Sequence, residues 1–280
     1  MPYTSYRMMS RADSDDIYAY LMAQKPAAVP NHEPELSFPF NMRFAVFFWN
    51  VLFLRDALPD ASVGNSADWT RGRYLANALG HCAECHTPRG VFGQMNGSQS
   101  LRGSSLGRVV PPDITPAGLS ARGWTSEDLQ TFFLTGIARQ GSAFGEMHPV
   151  VFLSSQHLTP ADARAMSTYL LGDVPVPPAS LPAVSADADA AQLAAGRSVY
   201  LAVCAGCHGL GGEGKPHVAV AMQGNSTLRQ ADPHNLIVAM LDGIAAAEFA
   251  STESLQEMPG FAKTLSDEEL AQLANYLRAS

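Results

Sequence analysis

The sequence predicts an all-α protein: two tandem helical units, preceded by the closing helix of a third. Three observations carry that expectation. Apolar residues recur at helical spacing with little strand-like alternation, two blocks at roughly 66–173 and 188–280 match each other, and one kind of capped helix ending occurs three times.

Residues 1–24 hold the first of those endings. Ser10 reads as an N-cap, Asp13 stands three residues later, Ile17 seven later, and Tyr20-Leu21 follow at ten and eleven. Residues 25–65 read as a linker that starts on "KPAAVPNHEPELSFPF" and then turns apolar in "FAVFFWNVLFL", Phe44 to Leu54. As a helix that stretch would span about 16 Å, against a hydrocarbon core of about 30 Å, so it cannot cross a bilayer. It is expected to pack between units, or else to belong to a patch that meets a partner or a membrane interface.

The block 66–173 opens on the helix-like "DWTRGRYLANAL", runs at once into a cysteine cluster, and closes on Thr159, Asp162, Met166 and Tyr169-Leu170. A linker, 174–187, is rich in Pro, Ala and Ser. The block 188–280 repeats the plan with "AAQLAAGRSVYLAV", a second cluster, and Ser266, Glu269, Leu273 and Tyr276-Leu277. In each ending an acid at cap plus three completes a capping box or its Asp variant, and the residue at cap plus seven shares a face with the Leu of the pair. Met1, Met147 and Met258 precede the three tyrosines by 19, 22 and 18 residues. Three endings exist but only two beginnings.

Composition narrows the function. Lys and Arg total 18 against 26 Asp and Glu, a net charge of −8, and no basic run offers itself to a nucleic-acid backbone. All four cysteines lie in the two clusters, so none is left for a disulfide framework. No basic start followed by an apolar run of signal-peptide type stands at the N-terminus.

The clusters read "CAECH", Cys82 to His86, and "CAGCH", Cys204 to His208. In C-x-x-C-H the two thiols can form thioethers to the vinyl groups of one haem, and the adjacent histidine can ligate its iron. The rivals are weaker. One shared zinc would need ligands from pairs 118 residues apart, with a proline-rich linker between them. A thioredoxin-like pair wants a βαβ pattern that is not evident. A thioether on the opposite face of the iron would raise its potential, and position in the repeat makes Met147 and Met258 the candidates. Met166 and Met240 fall at helical spacing and read as core. His148 and His157 compete for the first haem but are expected to face solvent.

The sequence resembles the three-haem cytochrome c subunits of bacterial membrane-bound dehydrogenases for alcohols, aldehydes and gluconate. "MPYTSYRMMSRADSDDIYAYL", "FPFNMRFAVFFWN", "GRYLANALGHCAECHTPRG", "DITP", Gly123-Trp124 and "CAGCHG" carry the likeness, in that family's order. It implies tandem cytochrome c domains, each with haem c. Electrons would come from a catalytic dehydrogenase subunit of quinoprotein, flavoprotein or molybdenum type and pass to membrane quinone at the periplasmic side of the inner membrane. It further implies that Met1 is the sixth ligand of a third haem, whose attachment motif would lie upstream in a longer product. Arg89 and Trp124 look like propionate partners. The family's Pro-Pro pair is kept as Pro111-Pro112 but replaced by Val220-Ala221 in the last unit, which puts the orientation of His208 in question, with Pro216 as a substitute. Outside this reading stand a two-haem peroxidase, which needs a displaceable distal ligand, and a free two-haem shuttle.

Overall fold

Several helices in this chain start on a hydroxyl that satisfies a free amide. The computed structural model describes residues 2–38, 41–54, 60, 62–178, 189–250 and 253–279. After a one-turn α1 (Tyr3–Tyr6), Ser10 Oγ accepts from the Asp13 amide at 3.1 Å and starts α2 (Arg11–Met22). α3 (Ala45–Phe53) carries the apolar stretch. Ser66 caps α4 (Ala67–Tyr74), which widens into a π-helical turn, Leu75–Leu79, before the single turn α5 (Ala83–His86). α6 (Pro116–Ala121) and α7 (Ser126–Thr135) follow. Thr125 and Asp128 form a reciprocal capping box at α7, outside the three repeated endings.

A two-residue hairpin, β1 (Ile137–Ala138) with β2 (Gly141–Ser142), leads to α8 (Met147–Leu153) and α9 (Pro160–Leu171). The second block runs α10 (Ala190–Val203), α11 (Ala205–His208), α12 (His234–Asp242), the hairpin β3 (Ala247–Glu248) with β4 (Ser254–Leu255), and α13 (Asp267–Ala279). The chain is therefore helix-rich.

Both remaining cap expectations meet their residues. Thr159 accepts from the Asp162 amide at 3.1 Å, and Ser266 and Glu269 bond each other's amides at 2.8 and 3.3 Å. Asp162 departs from the box: its carboxylate takes Arg71 at 2.8 Å and so ties α9 to α4.

Among the described residues three apolar clusters form, two of them large cores. One gathers Trp69, Leu75, Leu129, Phe133, Met166 and Tyr169; the other gathers Tyr200, Leu236, Met240, Leu273 and Leu277. Met166 and Met240 are core residues, as their spacing predicts. The third ending differs. At cap plus seven, Met166 is 7% exposed and Leu273 0%, but Ile17 is 44% exposed, and α2 buries no residue. The chain before α2 docks on the first unit instead: Ser5 is fully buried, and the Ser10 amide donates to Tyr74 Oη at 3.0 Å.

The two units meet along a seam that holds both an apolar cluster of Phe249, Val151 and Ala143 and a set of polar contacts. Asn235 on α12 bonds both the amide and the carbonyl of Val110, at 2.9 and 2.7 Å, and Arg108 pairs with Asp242 at 2.7 Å. α3 does not lie at that seam; it rests on the N-terminal segment and the first unit, where Asn50 Oδ1 accepts from Tyr3 Oη at 2.6 Å. It lies on the surface, with Trp49 Nε1 donating to Phe92 O at 2.8 Å and Phe53 stacked on Phe92. Its outward face, Phe44, Phe47, Phe48, Val51 and Leu52, is exposed.

Candidate functional site

Each cysteine cluster is delivered by a helix that crosses a closing helix at a glycine. A Cβ on Gly72 would lie 1.9 Å from Ala165 O, and one on Gly196 would lie 2.1 Å from Gln272 O. Only the missing side chain permits that approach. Ala165 and Gln272 both stand six residues after their caps, so the crossing is itself a repeated feature.

The clusters then form single helical turns, α5 and α11. In each pair the first sulfur turns inward and the second outward: Cys82 is half-buried and Cys204 buried, while Cys85 and Cys207 are exposed. All four thiols are free. Burial pushes Cys82 and Cys204 each up to about 11. An exchange-active redox pair has the opposite property, a depressed thiol, so this arrangement does not fit one.

His86 and His208 are buried beside these sulfurs. His86 Nδ1 lies 2.7 Å from Pro112 O, and His208 Nδ1 lies 3.0 Å from Val220 O. A carbonyl can only accept, so Nδ1 holds the proton and the Nε2 lone pair is left for another partner. Burial holds both imidazoles below their ordinary value, against the opposing pull of those carbonyls, which keeps the rings neutral.

A glycine fixes each carbonyl. The Gly103 amide donates to His86 O and the Gly214 amide to His208 O, both at 2.8 Å. Both glycines are left-handed, φ +86° and +76°, and a Cβ would come within 2.9 Å of Pro111 O or 2.6 Å of Ala221 N. Val220 thus supplies in the second unit the contact that Pro112 supplies in the first, without any part played by Pro216.

The methionines are placed less alike. Met258 packs on the second core with Cys204, and its backbone pairs with Ile244 at 2.8 and 2.9 Å. Met147 is the first residue of α8 and not a loop residue as expected. It packs on a third apolar cluster of Ala143, Val151 and Phe249, which Phe132 joins to the first core. Of its competitors, His157 is exposed, while His148 is not simply solvent-facing: its Nε2 reaches Glu248 O at 2.8 Å. Met1 lies outside the described residues.

Arg89 bonds Glu84 and the Gly93 carbonyl, and Trp124 Nε1 donates to Ser226 Oγ at 3.1 Å. Sequence reasoning missed Arg122. It is 6% exposed, and its guanidinium donates to neutral acceptors, the carbonyls of Gly118 and Asp113 and the Ser226 hydroxyl. Burial pushes it down to about 10. An arginine in "SARGW" gives no sign of such burial. Beside this group Gln140 Oε1 is buried without a partner.

Paired free thiols, a neutral imidazole with a spare Nε2 and an apolar surround fit covalently attached haem, and they define the class: a c-type cytochrome. A family model described as "Cytochrome C oxidase, cbb3-type, subunit III" matches residues 191–277. The Gluconate 2-dehydrogenase cytochrome c subunit of Pantoea cypripedii is 30% identical over all of this chain and 68% of its own length. The cytochrome c subunit of Alcohol dehydrogenase (quinone) from Gluconobacter oxydans is 32% identical over 99% of this chain and 62% of its own length. A nicotinate dehydrogenase subunit of Pseudomonas putida is 36% identical over 99% of this chain and 23% of its own length. The chain thus spans only part of these relatives. It belongs to the family of cytochrome c subunits of dehydrogenase complexes, whose cofactor is haem c.

Proposed function

We propose that this chain carries two haem c groups and relays electrons as a subunit of a dehydrogenase complex. Cys82 and Cys85 would hold the first haem and Cys204 and Cys207 the second; His86 with Met147, and His208 with Met258, would supply the iron ligands. Residues 66–173 and 188–280 are then tandem cytochrome c domains joined by 174–187. Residues 1–24 are the closing helix of a third such unit, and 25–65 form the linker after it.

The observation that carries this reading is the twofold histidine geometry, Nδ1 bound to a carbonyl at 2.7 and 3.0 Å with Nε2 left over. Bound haem supplies the one-electron chemistry. The chain's own residues do the rest: the carbonyls fix ring orientation and raise the basicity of Nε2, burial keeps water from the imidazoles, and a thioether favours reduced iron. Iron closed on both faces offers substrate no open position, which favours a relay over a peroxidase.

On this reading electrons enter from a catalytic dehydrogenase subunit and leave to membrane quinone at the periplasmic side of the inner membrane. Among the described residues no helix is long and apolar enough to cross a membrane. The outward apolar face of α3 supports contact with the bilayer surface or with the partner subunit.

The test is haem stoichiometry. After acid-acetone extraction the denatured polypeptide retains two haems per chain, and replacing both cysteines of one cluster by alanine, Cys82 with Cys85 or Cys204 with Cys207, makes one of them extractable. Haem that extracts completely from the wild-type chain overturns the reading.

A further inference from the structure

The geometry points to Phe249, carried by the second unit, as a positioning residue for the Met147 thioether of the first. This rests on the axial reading of Met147 proposed above.

The start of α8 is held within its own unit by backbone bonds, Met147 N to Phe144 O at 3.2 Å and His148 N to Gly145 O at 3.1 Å, but by no side-chain cap. Glu146 precedes it, and Gly145 before that is left-handed, φ +54°. The clamp comes from across the seam. Phe249 is 5% exposed and forms the buried heart of the cluster on which Met147 packs, together with Val151 and Ala143. Its ring meets the His148 ring edge-on at 5.2 Å, and the neighbouring Glu248 carbonyl takes His148 Nε2 at 2.8 Å.

The ring has one seat. Gly136, φ +79°, ends α7, and a Cβ there would fall 2.5 Å from Phe249 Cδ1. The Phe249 amide donates to Glu253 O at 2.9 Å, which continues the β3–β4 pairing to the residue that carries the ring. That hairpin runs on into Met258, which places one short segment against both methionines.

A bond between iron and a neutral thioether is weak enough that sulfur placement decides whether it persists, so a ring in the cluster on which the methionine packs would act on ligation without touching the metal. Removing the ring from the holoprotein should open the first iron and leave the second closed.

The test compares Phe249→Ala, Phe249→Leu and Met147→Ala in the full chain loaded with haem. Ferric spectra read the charge-transfer band of thioether ligation, carbon monoxide reads open ferrous iron, and a redox titration reads each potential. Met147→Ala should halve the band, admit carbon monoxide at one haem and lower one potential. Phe249→Ala should give the same pattern in part, and Phe249→Leu, which keeps apolar bulk, should restore the wild-type spectrum. Gly136→Ala, which bars the ring from its seat, should match Phe249→Ala and serves if that variant loses its fold. Phe249→Ala and Gly136→Ala with an undiminished band and unchanged potentials would overturn the positioning role alone. A Met147→Ala variant that keeps the full band would remove the ligand reading, and this inference with it.

Discussion

Replacing Gly196 by alanine sets two effects of opposite sign against each other. In an exposed helix the change favours folding by about 0.8–1 kcal/mol. Here the new Cβ would lie 2.1 Å from Gln272 O and 2.7 Å from Tyr276 Cβ. Both obstacles belong to α13 near its backbone and cannot swing away, so α10 must retreat by roughly 1 Å to restore van der Waals contact. The retreat loosens Tyr200, Leu273 and Leu277, which are 1%, 0% and 2% exposed. Overpacking a tight site costs about 1–3 kcal/mol, and the upper end applies when the opposing atom is a backbone carbonyl. Set against the propensity gain, the net loss is about 2 kcal/mol. With a urea m-value of about 1–3 kcal/mol/M, the unfolding midpoint of the haem-loaded chain should fall by about 1 M. Gly206→Ala is the control, because a Cβ there meets nothing within 4 Å. A Gly196→Ala protein as stable as wild type, or a Gly206→Ala protein equally weakened, would refute the crossing argument.

Two more outcomes follow from polar contacts. Asp173 accepts from the Ser66 hydroxyl and from the amides of Asn65 and Ser66, in that order of effect, and these hold its carboxyl below the ordinary value of 3.8. A depressed folded value gives stability that is present above the unfolded value and lost as pH falls through the folded one. The stability gap between wild type and Asp173→Asn should therefore exist near neutral pH and close in acid. A gap constant with pH would exclude this ionic role. At the seam, Asn235→Ala leaves the amide and carbonyl of Val110 without their partner and should cost about 1–3 kcal/mol, whereas Arg108→Ala removes an exposed ion pair that solvent screens and should cost clearly less. Urea unfolding of both variants measures the ranking, and the reverse order would count against it.

Much of this was legible because its causes are local. A hydroxyl three residues before an acid marks a helix start whatever surrounds it, and so Ser10, Thr159 and Ser266 could be read directly. The C-x-x-C-H spacing likewise brings two sulfurs and an imidazole onto one turn. The carbonyl partners of His86 and His208 lie 26 and 12 residues downstream, a difference that spacing could not reconcile. What aligns them is Gly103 and Gly214, whose role rests on φ and on close approach, neither of which has a sequence signature by itself. The seam was hidden for a related reason. Arg122, Gln140, Ser226 and Asn235 are ordinary polar residues until two units bring them together. The exposure of α3 inverts the usual rule that apolar faces turn inward, and apolar content by itself did not decide between its two expectations, packing between units or an outward patch.

The π-helical turn at Leu75–Leu79 explains how two copies of one plan came to differ in length. In both units the carbonyl that receives the first cysteine's amide stands four residues after the crossing glycine, Ala76 after Gly72 and Tyr200 after Gly196. Cys204 comes four residues beyond its acceptor and Cys82 six beyond, so the surplus pair is housed in the bulge and never reaches the sulfur. That slack is put to use: Asn77 within it holds the Tyr169 hydroxyl at 3.0 Å, and His81, in a left-handed conformation just after it, gives Tyr6 a ring to rest on. An irregularity that could pass for a blemish in α4 is thus what equips the first unit with a berth for the chain that precedes it.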